Sequence, residues 1–93
     1  MTLDELNALD DDAVAQRAAK GDAEAMEVLL LRSAPVAARI AHGVLGCHSD
    51  ALDAAQETML RILRCLGTTW SGKSYNAWLF SCAHAAAADD GRL

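Results

Sequence analysis

Ninety-three residues make one domain, taken as 1–93, and a hydrophobic share of 53% is enough for a real core. Val, Ile, Thr and aromatic residues are too sparse for a β protein, while one Pro and six Gly leave room only for short loops. The composition is that of an all-α protein, a compact bundle of about four helices, and its net charge of −5 sits poorly with a chain whose main task is to hold nucleic acid.

No run approaches the ~18 apolar residues of a membrane span, and no secretory leader is visible, so no membrane insertion is expected. Cys47, Cys65 and Cys82 are widely spaced and odd in number, unlike a disulfide framework. A cytoplasmic protein with reduced thiols follows. The acid is unevenly spread. Asp4, Glu5, Asp10, Asp11, Asp12, Asp22 and Glu24 crowd the first quarter, whereas the stretch from Arg32 to Lys73 is mildly basic.

In chain order, Thr2 and Glu5 form a capping-box pattern, so a short helical turn starts at Leu3. Asp10 to Asp12 cap a helix over Ala13–Lys20 that Gly21 stops. Asp22 caps the next helix, with Ala25, Met26, Leu29, Leu30, Val36, Ile40 and Leu45 on its buried face. Pro35 interrupts that pattern, so a bend is expected there, with Ser33 able to cap a restarted helix. Gly46 ends this element.

Cys47 to Ser49 read as a loop, and Asp50 opens a helix ending near Leu66 or Gly67. Leu52, Ala55, Met59, Ile62, Leu63 and Leu66 give it an apolar stripe. Asp53, Gln56, Glu57, Arg61 and Arg64 fall largely off that stripe and form an ordered polar face. A polar loop, Thr68–Gly72, carries Trp70 at its middle. Ser71 or Ser74 then caps a last helix running through Trp78 and Leu79 toward Ala88.

Three constellations bear on chemistry. Cys47-His48, His42, His84, Cys65 and Cys82 contain no Cys-x-x-Cys or His-x-x-x-His pair, so a loop cysteine, core thiols and surface imidazoles are expected, with no metal and no cofactor. Cys65 and Cys82 fall on facing helices, where contact is conceivable. No nucleophile elbow or Gly-rich phosphate loop is present, and Asp10–Asp12 read as a cap and solvated face, so no enzyme is expected. Trp70, Tyr75, Trp78 and Phe80 are the only aromatics and lie beside Lys73 and Asn76, a grouping suited to stacking on unpaired bases. The competing reading places Trp78 and Phe80 in the core and Tyr75 at a half-buried edge.

Leu52–Arg64, followed by Ser74-Tyr75-Asn76-Ala77-Trp78-Leu79-Phe80, resembles the second conserved region of bacterial sigma factors, most closely the extracytoplasmic-function group. Asp11–Met26, with its Gly21-Asp22 junction, and Ala34–Gly46 are similar to the family's preceding helices. The resemblance implies a domain that recognises and melts the minus-ten promoter element. Asp53, Gln56, Glu57, Leu60, Arg61 and Arg64 would dock on the clamp helices of the polymerase β′ subunit. The loop Gly67–Lys73, with Thr69, Trp70, Ser71 and Lys73, would receive a base flipped from the non-template strand. Tyr75, Asn76, Trp78, His84 and Arg92 would face promoter DNA, and an anti-sigma protein is an implied partner.

The chain departs from the family pattern where DNA is concerned. Arg is usual near Asn76, Ser81 and His84, and the loop start Gly67-Thr68-Thr69 is uncharged here. The family's helix-turn-helix domain is absent from the 93 residues, and the ending at Gly91-Arg92-Leu93 leads to the expectation of a truncated longer protein. Two readings result: a promoter-melting domain, or a sigma-like interaction module that holds polymerase or an anti-sigma protein with little DNA binding. A small metal or redox sensor built on the cysteines is a third.

Overall fold

The computed structural model describes residues 2–90, with the side chain of Asp90 excepted. It is all-α, with helices α1 (Leu3–Ala8), α2 (Asp11–Ala19), α3 (Ala23–Leu45), α4 (His48–Thr69) and α5 (Tyr75–Asp90). The three long helices pack against one another, and α1 and α2 close one end.

The first three helix starts are set locally. Thr2 and Glu5 cap each other's backbone N–H reciprocally. Asp10 and Asp22 each accept from the amide three residues on, at 2.8 and 3.1 Å. Gly46 closes α3 in the left-handed region, at φ 71°. By contrast, α4 begins at His48 behind Cys47, which provides no side-chain cap. The expected loop Cys47–Ser49 is therefore shorter, and Asp50 lies inside the first turn.

α3 runs unbroken through Pro35. Pro35 and Leu31 lie on the exposed side, so the Leu31 carbonyl left without an amide partner faces the solvent side. Ser33 does not restart the helix. It is buried in mid-helix, where its hydroxyl donates to the Leu29 carbonyl at 2.6 Å. By length and composition α3 is apolar enough to cross a membrane. It is nonetheless the central helix, in contact with all four others, and Arg32 and Arg39 interrupt it.

The core is graded along the bundle. At the α1–α2 end Leu6, Val14, Leu29, Ile62, Leu66 and Tyr75 fill it with bulk. Toward the α3–α4 turn it thins to alanine, with Ala41, Ala51, Ala54 and Ala87 in one cluster and Ala37, Ala55 and Ala83 in another. Small side chains let the three helices approach closely there. This rotates α4 relative to the expected stripe. Its buried residues are Ala51, Ala54, Ala55, Thr58, Ile62 and Leu66, and Leu52, Leu60 and Leu63 are pushed out to 46%, 41% and 51% exposure. Thr58 is tolerated inside because its hydroxyl donates to Ala54 O at 2.8 Å.

Candidate functional site

Two surfaces follow from this packing, one along α4 and one at the turn into α5. On α4, Asp53, Gln56, Leu60 and Arg64 recur at i, i+3, i+7 and i+11 and stand exposed on one face. Asp53, Gln56 and Arg64 carry no hydrogen bond or ion pair among the described residues. The face is mixed rather than purely polar, because Leu52 and Leu63 flank it. Glu57 and Arg61 differ from the rest of the set. Arg61 pairs with Glu57 at 3.5 Å and with Asp89 of α5 at 2.5 Å. The bond to Asp89 is the main cause that raises the Arg61 guanidinium further. Arg61 therefore ties α4 to the end of α5 as well as bordering the exposed face.

At the other end of α4, helix continues past the expected stop. Thr68 and Thr69 donate their hydroxyls to Cys65 O, at 3.2 and 2.9 Å, and the helix persists to Thr69. The connection is reduced to Trp70–Ser74, with Gly72 at φ 85°. Ser74 then caps α5 by accepting from Ala77 N at 3.3 Å.

The extra helical residues draw the aromatics inward. Trp70 packs against the bulky core and meets Tyr75 edge-on, with ring centroids 6.2 Å apart. Trp78 lies 6.0 Å from Tyr75 on the other side, and its indole N–H donates to Thr69 Oγ1 at 3.1 Å. Tyr75 is only 1% exposed, so it neither lines an open path nor sits at a half-buried edge. Its hydroxyl pairs with Ser33 Oγ at 2.6 Å, and its amide donates to Asp12 Oδ1 at 2.8 Å. Burial pushes its phenol up to about 12, against a smaller lowering by the Ser33 bond. Trp70 is half-buried rather than displayed, and its indole nitrogen is buried without a hydrogen-bond partner among the described residues.

What remains open to a nucleic acid is polar and sparse. Thr69, Ser71, Lys73, Asn76 and His84 are exposed, and Lys73 is the lone cation from Thr69 to Asn76. Phe80, placed in the core by the competing reading of the sequence, is 53% exposed and lies beside His84, with ring centroids 4.3 Å apart. Asp10, Asp11 and Asp12 share a shallow pocket with Ser74 and Asn76 and bring negative charge to this surface. Arg92 lies outside the described residues.

Three residues organise the site in roles that the sequence did not show. Asp12, taken for a solvated acid, holds the first amide of α5 from across the bundle. Ser33 holds the Tyr75 hydroxyl. Arg32 donates to the carbonyls of Leu6, Asn7 and Leu9 and pairs with Asp11 at 3.1 Å, satisfying the end of α1. The one signal available was the run of carbonyls that any short helix leaves open at its end. Cys65 and Cys82 are half-buried free thiols, and burial raises Cys82. No group of three or more His, Cys, Asp and Glu is arranged to hold a metal ion among the described residues.

The described residues form an all-helical domain with an exposed mixed face on α4 and a compact aromatic turn into α5. The sigma-70 region 2 family model matches residues 29–92. The chain belongs to that family, whose non-enzymatic domains act in transcription initiation with RNA polymerase and promoter DNA. The segment Asp11–Met26 precedes the match. No characterised protein and no solved structure matches the chain.

Proposed function

We propose that the domain docks on the clamp helices of the polymerase β′ subunit through α4 and engages the non-template strand of the minus-ten element through the Trp70–Ser74 turn. The observation that carries the docking half is the α4 face. The side chains of Asp53, Gln56 and Arg64 are exposed on a long helix, without partners among the described residues, around Leu60. Unpaired polar groups around an apolar centre suit a partner helix, because charge-assisted bonds form while apolar area is buried. The extracytoplasmic-function group and a cytoplasmic setting belong to this reading, as does an anti-sigma protein competing for the same face.

The DNA half rests on Thr69, Ser71, Lys73 and Asn76 at the turn and on His84 farther along α5. A pocket that receives one unpaired base needs few phosphate contacts. A second reading, polymerase or anti-sigma binding with little DNA binding, is favoured by one observation: the turn offers a single cation beside Asp10, Asp11 and Asp12.

A titration separates the two. Single-stranded non-template minus-ten DNA should bind at low salt, and Lys73→Ala should weaken it and lower the salt slope by about one. Absence of wild-type binding selects the second reading. Gln56→Ala with Glu57→Ala should weaken binding to a β′ clamp-helix fragment while the far-ultraviolet circular dichroism is unchanged. Unaltered binding removes the docking assignment.

A further inference from the structure

A second surface lies at the opposite end of α4 from the aromatic turn. Where α3 turns into α4, a groove of about 260 Å³ is lined by Ala38, Arg39, His42, His48, Ala51 and Leu52. The spacing explains its form. Residues 38, 39 and 42 share one side of α3, and 48, 51 and 52 share the facing side of α4. Alanine at 38 and 51 leaves the two helices close but unfilled above, and Leu52 makes one apolar wall. Arg39, His42 and His48 are exposed at this groove, and their side chains have no hydrogen bond or ion pair among the described residues.

Charge gives the occupant. In a chain of net charge −5, the stretch from Ala38 to His48 contains Arg39, His42 and His48 and no carboxylate. The start of α4 adds to this. Cys47 leaves the first amides of the helix without a side-chain cap, although Asp50 in the first turn offsets part of the positive end of the dipole. A carboxylate would find up to three cationic or titratable partners here, each offering a charge-assisted bond.

We propose that this groove is a docking site for an acidic segment of a protein partner, one that places a carboxylate between Arg39, His42 and His48 and an adjoining apolar side chain on Ala38, Ala51 and Leu52. The volume falls below the ~300–1,000 Å³ of small-molecule sites, so it takes one or two side chains rather than a cofactor. A nucleic acid is disfavoured, because its phosphates would run past Asp50 and Asp53 in the first turns of α4. A single inserted carboxylate brings one negative charge to the groove rather than a run of them. The groove is also remote from the candidate base-binding turn, because the helix between them spans roughly 30 Å. A partner seated here leaves that turn free and lies beside Asp53 and Gln56, within reach of a polymerase-bound assembly. This site does not depend on the docking or DNA assignments made above.

The test uses the full chain and a short blocked peptide of alternating Leu and Glu, followed by nitrogen-proton correlation spectra. Amide shifts should be confined to residues 38–52. Replacing Glu by Gln in the peptide should weaken binding about tenfold, as should Arg39→Gln combined with His48→Gln. Lys73→Gln should leave it unchanged. Both groove substitutions lie at exposed positions, and circular dichroism checks that the fold is kept. No shifts at millimolar peptide, or equal binding of the Gln peptide, overturns the proposal. So does tighter binding of oligo-deoxythymidine at the same residues, which would mark a nucleic-acid surface.

Discussion

The Ser33 and Tyr75 hydroxyls lie 2.6 Å apart inside the bundle, joining the middle of α3 to the first residue of α5. Ser33 also donates to Leu29 O, so the Tyr75 hydroxyl is the donor in the pair when Ser33 serves that carbonyl. Both residues are buried, and neither hydroxyl has water to fall back on. Removing Ser33 therefore strands a phenol, whereas removing the phenol strands nothing that Leu29 O does not satisfy. Ser33→Ala should cost ~1–3 kcal/mol and Tyr75→Phe less, ~0.5–1.5 kcal/mol. Urea unfolding of the two single variants and the double variant checks this. A double variant as unstable as the sum of the singles would mean that the bond is not formed.

Alkaline pH should act through the same residue. The Tyr75 phenol is pushed up to about 12 by burial, whereas in the unfolded chain it ionises near ~10. Between those values the unfolded chain has released a proton that the folded chain keeps. The stabilisation is thus fully present below the unfolded value and is lost as pH rises through the folded one. The slope is about 1.4 kcal/mol per pH unit. Tyr75 is the sole tyrosine, so tyrosinate absorbance reads it alone. The folded domain should show a delayed titration, and Tyr75→Phe should flatten the stability profile over this range.

Asp12 offers a test of how the turn into α5 is held. Its carboxylate accepts from Tyr75 N at 2.8 Å while Ser74 serves Ala77 N. Asp12→Ala should cost ~0.5–2 kcal/mol, the size of a lost helix cap, and should speed hydrogen exchange at the first amides of α5. Asp12→Asn keeps an acceptor and should fall between the two. Exchange that rises equally in every helix would instead point to global destabilisation.

What could be read from the sequence was what is decided locally. The caps at Thr2, Asp10 and Asp22 and the Gly46 stop depend on side chains within a turn of the backbone they serve, and all were foreseen. The α4 face was mis-phased because hydrophobicity favoured Leu52 and Leu63, whereas close packing of three helices selected Ala51, Ala54 and Thr58. The aromatic turn was misread for a related reason. Two threonine hydroxyls bonding to Cys65 O extend α4, and the extension turns Trp70 inward. Asp12 and Ser33 act across 63 and 42 residues of sequence, a range over which no periodicity reports.

The thiols should separate by reactivity. Cys47 is exposed, and Cys65 and Cys82 are half-buried. Burial raises the Cys82 thiol above its ordinary value, against a lowering by Arg61, so at neutral pH it offers less thiolate. An aromatic disulfide reagent should label Cys47 first and Cys82 last, as followed by peptide mass spectrometry. All three should react together once the chain is unfolded. Early labelling of Cys82 would show that α5 opens more readily than its packing implies.

The last test concerns the division within α4. Leu60 projects from the exposed face and offers an apolar centre, whereas Arg61 is engaged with Glu57 and Asp89. If the clamp helices dock on this face, Leu60→Ala removes apolar area that only the complex buries, and should weaken binding by ~1–2 kcal/mol. Arg61→Ala should weaken it less, because that side chain must leave its own partners to reach another. Its effect on stability should stay below ~1 kcal/mol, since the pair is partly exposed and screened by water and salt. Binding measured by calorimetry against a β′ clamp-helix fragment, with unfolding curves alongside, distinguishes the two roles. A larger binding loss for Arg61→Ala than for Leu60→Ala would show that the bond to Asp89 breaks on docking and that Arg61 turns outward to the polymerase.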